Sequence, residues 1–453
     1  MRKMILLKTG VALLLASGGF SVEAQQSTLT LQQATAIALE KNPARKLAAA
    51  DVASAAASYQ LSRAPLLPKV RFSEDFTRGN DPVYVFGAKL HQQRFQTSDF
   101  DLNTLNRPAP LDNFTTSFAG RWTAFDSLFT QSQIKRASIL EQSTTASAGR
   151  TDQEVIYGVI RAYESVLIAD REVDVAQHAV DTAQALYKLS RDRVDSGVAV
   201  ESDALSAQVD LSARQQDLIE AWGNRGTAWA ELEAAMGVTL PIGQTPLVPL
   251  AEHSFQVSPL PEEVEQAIKE RPDLKSLSLQ TSAQQAAVRS AKSDFGPRVD
   301  GFGTWQADRQ SFAGAGGANW VAGAEVRIDL LPFDKRARLQ QEKAALIRAQ
   351  ATHQSAESLV RVEVSRAYYE HQSAEQMVEV TRTARSQAEE SRRILRNRYE
   401  AGLTTLTDVL RAEDAERQSG MSYWQAVYRN ALSFAALRLA TGTLNQDQVV
   451  TFQ

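Results

Sequence analysis

The sequence predicts a mainly α-helical chain with a smaller β part suited to spanning a membrane. It reads as two copies of one design: helix, strand, strand, very long helix, long helix. Three observations predict this. The chain repeats itself in order. Two Pro-free stretches carry helical periodicity for about 65 residues each, roughly 100 Å of helix. Four short segments alternate aromatic or small residues with polar ones, the period of a strand.

The repeat is read directly. Leu31 to Val70 aligns without gaps on Leu260 to Val299 at a shift of 229, with Pro43 on Pro272 and Pro68 on Pro297. The later parts repeat at a shift of 205, with Arg161-Ala162-Tyr163 on Arg366-Ala367-Tyr368 and Gly237 on Gly442. The difference of 24 places an insertion in the first half. These landmarks divide the chain into 1–24, a first repeat 25–237, a connector 238–259, a second repeat 260–442 and a tail 443–453.

The elements follow in order. Arg2 and Lys3, an apolar run from Ile5 to Ala16 and Val22-Glu23-Ala24 form a cleavable secretory signal. The run is too short for a membrane anchor. A helix then runs from Leu31 to Ser62, broken near Pro43 and stopped by Pro65 and Pro68. Strands are expected near 69–79 and 113–125, where Phe114, Phe118, Trp122 and Ala124 share a face. The segment 79–112 between them reads as a long loop rich in Asn, Asp and Pro. In the second half, strands are expected near 298–308 and 319–331, joined by a short Gly-rich loop. Trp320, Ala322, Ala324, Val326, Ile328 and Leu330 share one face of the last strand.

After Phe125-Asp126 and after Phe333-Asp334 the long helices begin. Val155, Val159, Ala162, Val166, Ala169, Val173, Ala176, Val180, Ala183 and Tyr187 recur at alternating four and three, the spacing of coiled-coil packing. Ile156, Ile160, Tyr163 and Leu167 form a second seam beside it. A helix with two apolar seams has neighbours on both sides, as in a ring of helices. Val360, Val364, Ala367, His371, Ala374 and Val378 repeat the first stripe. Each long helix ends at a Gly (Gly197, Gly402) followed six residues later by an Asp (Asp203, Asp408). A left-handed Gly ends one helix and the Asp sits at the start of the next. The connector holds Pro241, Pro246, Pro249 and Pro259 and has no helical period. The tail after Gly442 reads as short and polar.

Bulk properties exclude several functions. The 453 residues carry a formal charge of −4 and no Cys. The mild charge balance gives no nucleic-acid footprint. Without Cys there is no disulfide, thiolate metal site, Cys nucleophile or lipid-bearing N-terminal Cys. His91, His178, His253, His353 and His371 are scattered, so no metal site and no cofactor is expected. His371 lies on the packing stripe and is expected to make a helix contact. No phosphate loop, Ser-His-Asp set or close acid pair stands out, so the chain is not expected to be an enzyme.

The duplicated Asn-Pro and Arg-Pro helix openings carry a resemblance, as do Leu67-Pro68-Lys69-Val70, Gly296-Pro297-Arg298-Val299 and the two Gly turns with their following Asp. The mature chain resembles the TolC family of outer-membrane efflux proteins over nearly its whole length, in order and in duplicate. The resemblance implies a homotrimer. Each protomer would give four strands to one twelve-stranded barrel, and its long helices would join a periplasmic α-helical barrel. It implies docking to a periplasmic adaptor and to an inner-membrane pump of RND or ABC type, contact with outer-membrane lipid, and no nucleic-acid partner. Asp408 falls on a position lining the periplasmic constriction, and Tyr399 and Asp203 on positions linked to holding it shut. Arg411 and Thr404 depart from the family's pattern there, so the sign of ion selectivity stays open. Gly197, Val198, Gly402 and Leu403 would form the adaptor-facing tips.

The residues themselves leave simpler roles open. Asp408 and Asp203 would each cap a helix. Tyr399 would donate a hydrogen bond across the helix pair or pack. Trp122, Trp305 and Trp320 would mark membrane interfaces or pack. The function expected is a passive channel exporting drugs or other small toxic compounds. Two readings compete: the exit duct of a type I protein-secretion system, and a periplasmic coiled-coil scaffold that never enters a membrane.

Overall fold

The computed structural model describes residues 28–239, 246–249 and 251–452. The expected signal segment, and residues 240–245 and 250 of the connector, lie outside the described residues. The first half comprises α1 (Leu31–Lys41), α2 (Pro43–Arg63), β1 (Lys69–Gly79), α3 (Pro82–His91), α4 (Leu102–Asn106), β2 (Leu111–Phe125), α5 (Phe129–Asp195) and α6 (Glu201–Met236). The second comprises α7 (Leu260–Glu270), α8 (Pro272–Ser293), β3 (Arg298–Arg309), β4 (Gly316–Arg327), α9 (Phe333–Glu400) and α10 (Leu406–Ala440). A 3₁₀ turn, Asp447–Phe452, closes the chain.

The first helix of each half breaks where Pro forces it to. Pro43 and Pro272 sit at the first position of α2 and α8, where their missing N–H costs nothing. The residue before each is extended and takes a second task. Asn42 Nδ2 donates to the Ala235 carbonyl (2.7 Å), and Arg271 Nη1 donates to the Ala440 carbonyl (3.0 Å). The two acceptors are 205 residues apart, so the duplication holds at the level of single hydrogen bonds. Gly237 and Gly442 end α6 and α10 at φ +71° and +73° against the backbone of these same two junctions.

The four strands form one antiparallel sheet in the order β1-β2-β3-β4. Phe72, Phe118, Trp305 and Trp320 stand in one row across it. They lie on a face with Phe76, Phe114, Trp122, Ala322 and Val326. The other face carries Ser73, Asp75, Thr115, Ser117, Asp300, Thr304, Gln306 and Asp308. β2 starts two residues earlier than the pattern suggested. β4 spans 316–327 rather than 319–331, so Ile328 and Leu330 lie beyond it. The reason is pairing: Arg298↔Arg327 is the last rung, and Pro297 below it has no N–H to extend the ladder. At the other end Gly316 pairs with Arg309, leaving only residues 310–315 for the turn. The segment 79–112, read from sequence as a loop, contains α3 and α4.

The long helices are 67 and 68 residues, about 100 Å each. The stripe of α5 is buried, Val159 and Val166 completely, with only Val173 and Tyr187 partly exposed. Its second seam (Ile156, Ile160, Tyr163, Leu167) is buried too. α5 packs against α2 and α8 in one half of its length and against α6 and α10 in the other. α9 differs. Its Val360–Val378 stripe is covered, yet Leu359, Val362, Tyr369, Met377 and Val380 are exposed. α9 is therefore an edge, as are α2, α6, β1 and β4. The chain forms a strip about one helix or one sheet thick, open along both flanks.

The main core forms a girdle where α1, the middle of α5 and the ends of α6 and α10 converge. Trp229 and Leu232 are buried there. The tail is not the polar end expected from composition. Leu444, Val449 and Phe452 are buried, and Phe452 meets Phe255 and Phe434, each at 5.5 Å. Three apolar residues spaced among polar ones gave no periodic signal, but together they clasp the connector to α10.

Candidate functional site

The two hairpin tips, α5–α6 and α9–α10, lie together at the far end of the long helices. Both Gly residues adopt the left-handed backbone, φ +76° at Gly197 and +77° at Gly402. In each, the following amide bonds back to an Arg carbonyl: Val198 N to Arg193 O at 2.9 Å, Leu403 N to Arg398 O at 2.8 Å. This is the two-bond glycine cap that satisfies the last carbonyls of a helix. It turns the chain within a few residues and leaves Val198 and Leu403 about two-thirds exposed. Val200, which sequence reasoning passed over, is exposed beside them.

The second helix of each hairpin starts differently. Thr405 caps α10 in a reciprocal box with Asp408, each side chain accepting the other's amide at 3.3 Å. Thr405 and Thr404 hydroxyls also donate to Asp408 Oδ2, at 2.6 and 2.9 Å. These bonds, Thr405 first, hold the Asp408 carboxyl below its usual range; the Arg411 charge one turn on adds to the effect. Asp408 is thus both a cap and an ionised, partly exposed carboxylate at neutral pH. The capping role expected for Asp203 fails. Val200 stands where Thr405 stands in the other copy, so the box has no hydroxyl, and no side chain caps α6.

Tyr399 is buried with Leu186, Ala207, Leu406 and Val409, one residue or more from each of the four helices. Its hydroxyl lies 3.4 Å from Ser190 Oγ on α5, a contact between the two hairpins. Sequence reasoning missed Arg193, the residue that joins the two hairpins. Its Nη1 donates to the Tyr399 carbonyl at 2.8 Å, and its guanidinium lies 4.9 Å from the centre of that ring. A cation at the C-terminus of α9 is favourably placed against the helix dipole. The signal was available: Arg193 and Arg398 are aligned in the repeated motif. The tips present small apolar ends and, among the described residues, hold no constellation for covalent chemistry. Among the described residues no group of three His or acidic side chains is placed to hold a metal.

His371 makes the helix contact expected of it. Nδ1 lies 3.1 Å from Ser433 Oγ on α10, and the ring sits beside the stacked rings of Phe255 and Phe434. Burial lowers its pKa. Glu164 was not foreseen. It is 3% exposed, its Oε2 has no hydrogen-bond partner among the described residues, and burial pushes its carboxyl up to about 8. The neighbouring Tyr163 hydroxyl binds the Leu29 carbonyl (2.8 Å) and the Val248 amide (3.0 Å), tying α5 to both segments over it.

Trp122, Trp305 and Trp320 are exposed on one face of the sheet. Trp122 pairs with Gly301, four residues below Trp305. That is about 13 Å along the strand, well under the ~25 Å apolar band of an outer-membrane barrel. The three side chains therefore form one aromatic zone with Phe72 and Phe118 and do not bracket both borders. No helix among the described residues is long and apolar enough to cross a membrane.

Comparison with known proteins agrees with this architecture. The family model "Outer membrane efflux protein" matches residues 34–238 and 264–443. The alkaline protease secretion protein AprF of Pseudomonas aeruginosa is 23% identical over 426 residues, covering 90% of this chain and 84% of that one. Protein CyaE of Bordetella pertussis is 24% identical over 442 residues, covering 93% and 85%. The Campylobacter jejuni CmeC outer membrane channel superimposes with a TM-score of 0.77 at 15% identity, over 93% of this chain and 88% of that one. With both matched blocks together spanning most of its length, this chain belongs to the outer membrane efflux protein family, whose members are channels rather than enzymes.

Proposed function

We propose that three copies of this chain close into a passive channel through the outer membrane and periplasm. The carrying observation is that every layer of the strip is open on the same two flanks. β1, α2 and α6 form one flank; β4 and α9 form the other. In lipid, each unpaired strand N–H or C=O costs several kcal/mol, so an open four-stranded sheet cannot sit there. β1 has 11 residues and β4 has 12, so the two edges match in length. Joining unlike edges head to tail makes a ring. Two copies would give eight strands and an interior filled by side chains; three give twelve and a lumen.

In this reading the two repeats, 25–237 and 260–442, supply the wall and 238–259 the girdle. Asp408 forms the periplasmic constriction with Arg411 beside it, Tyr399 and Arg193 hold the hairpins closed, and Asp203 lies at the rim. Gly197, Val198, Gly402 and Leu403 meet a periplasmic adaptor that links the channel to an inner-membrane pump of RND or ABC type. The aromatic zone of Trp122, Trp305 and Trp320 contacts lipid. Small toxic compounds are one cargo. A secreted polypeptide is the second, and the AprF name, a protease secretion protein, favours it. The test is oligomer mass in detergent together with single-channel current in a planar bilayer. A trimer with small, mostly closed currents supports the channel; a water-soluble oligomer that never inserts refutes it. Cells lacking the chain then separate the cargoes by dye retention against loss of a secreted protein.

A further inference from the structure

The segment between β1 and β2 is folded across one face of the sheet, and that face is the polar one. Helix α3 starts at β1, where Tyr84 OH donates to the Thr77 carbonyl at 2.8 Å. It passes β2, where Val85 and Ala88 pack against Leu111, and Gln92, just past the helix end, donates through Nε2 to the Asp112 carbonyl (3.0 Å) and to Asn113 Oδ1 (2.8 Å). It reaches β3, where His91 Nδ1 lies 3.1 Å from Gln306 Nε2 and 3.8 Å from Asp308 Oδ2. It ends over β4, where Asn319 Nδ2 donates to the His91 carbonyl at 3.0 Å. Ten helical residues rise about 15 Å, and four strands ~4.8 Å apart span about the same width. Gln92, Asn113 and Asp308 are buried under it. A Cβ at Gly317 would lie 2.1 Å from the His91 oxygen, so the fit depends on glycine there.

The side of α3 that faces away from the sheet is apolar. Val83, Phe86 and Leu90, at helical spacing, are 80%, 37% and 46% exposed. Phe100, joined to Phe86 through Phe95, extends the exposed patch. In the closed barrel proposed above, the polar face lines the lumen. Twelve strands tilted by about 40° enclose a barrel of about 12 Å backbone radius. A packed helix takes up about 10 Å of that radius.

We propose that α3 is an inward-folded constriction at the outer mouth of the channel, where the Val83–Phe86–Leu90 faces of three copies meet around the axis. The occupant of each apolar face is the same face of the other two copies. An apolar ring excludes ions by dewetting and bulky solutes by size, and the contacts to Gln306, Asp308 and Asn319 latch it to the wall. This rests on the trimeric barrel reading.

The test uses the absence of native Cys. In detergent-extracted trimers, a Phe86→Cys variant should be linked between protomers by a short bis-maleimide. In whole cells, a Thr304→Cys reporter on the polar face below α3 should resist a bulky polyethylene-glycol maleimide while a small maleimide labels it. Replacing residues 83–106 by a short Gly-Ser turn should speed bulky labelling by about tenfold or more, as removal of an apolar constriction requires. Phe86→Ser with Leu90→Ser should act in the same direction if the replacement does not assemble. Trimers that give no link and label equally fast in all backgrounds overturn the constriction. A protein that is not a trimer overturns the barrel reading, and the constriction with it; the mass measurement tells the two failures apart.

Discussion

Replacing Glu164 by Gln should stabilise the protein, and more so as pH rises. The carboxyl is nearly fully buried on α5 at the girdle, with one oxygen unpartnered among the described residues. Burial raises its pKa from 4.5 to about 8. The sign follows from proton binding. Between these values the unfolded chain has lost the proton while the folded chain keeps it, so stability falls as pH rises through this window. Each unit is worth about 1.36 kcal/mol, so the cost is roughly 3 kcal/mol at pH 7 and approaches 5 kcal/mol per protomer above pH 8, to order of magnitude. Gln keeps the shape and removes the titration. The assay is thermal denaturation of the detergent-solubilised protein at several pH values, native against Glu164→Gln. The variant should match the native protein near pH 5 and exceed it by several degrees at pH 8.5. A constant difference between the two from pH 5 to 8.5 would show that Glu164 is ionised in the fold and refute the reasoning.

Asp408→Asn should lower cation preference in a planar bilayer while keeping the α10 cap, because the amide oxygen still accepts from Thr405; unchanged selectivity would take Asp408 out of the ion path. Gly442→Ala should cost about 2–4 kcal/mol, since the left-handed backbone disfavours a side chain and its Cβ would lie 2.8 Å from Arg271 Cα. Gly402→Ala has the same φ but nothing nearer than 3.9 Å, so it should cost only about 1 kcal/mol; equal losses in unfolding midpoints would refute that contrast. Gly402→Val should impair adaptor docking, read as lost co-purification of the adaptor with an assembled trimer. Arg193→Ala should loosen the hairpin contact and raise the fraction of open-channel time relative to Arg193→Lys, which keeps the charge.

The sequence by itself determined the duplication, the element types and the two glycine turns. These are local properties. Proline stops a helix wherever it sits, a left-handed turn selects glycine, and a four-three apolar stripe must be covered. They could be read at Pro43, Gly402 and Val155 to Tyr187 without knowing what covers them. The Asp408 cap was legible for the same reason, because its partner Thr405 is three residues away.

What only the tertiary structure decided involves partners distant along the chain. Asp203 looked like Asp408, but its capping partner is a valine. Tyr399 found Ser190 and Arg193, some 200 residues earlier. The tail seemed polar until Phe452 met Phe255 and Phe434. The 79–112 segment reads as a loop from its Asn, Asp and Pro, yet Pro82–His91 within it folds as α3 across all four strands; the spacing of Val83, Phe86 and Leu90 is the local signal for it, and only packing shows which face it covers. Glu164 sits among ordinary helix residues, and nothing local shows that tertiary packing will strip its carboxylate of water. Long-range packing sets burial, and burial sets both the charge on Glu164 and the orientation of α3.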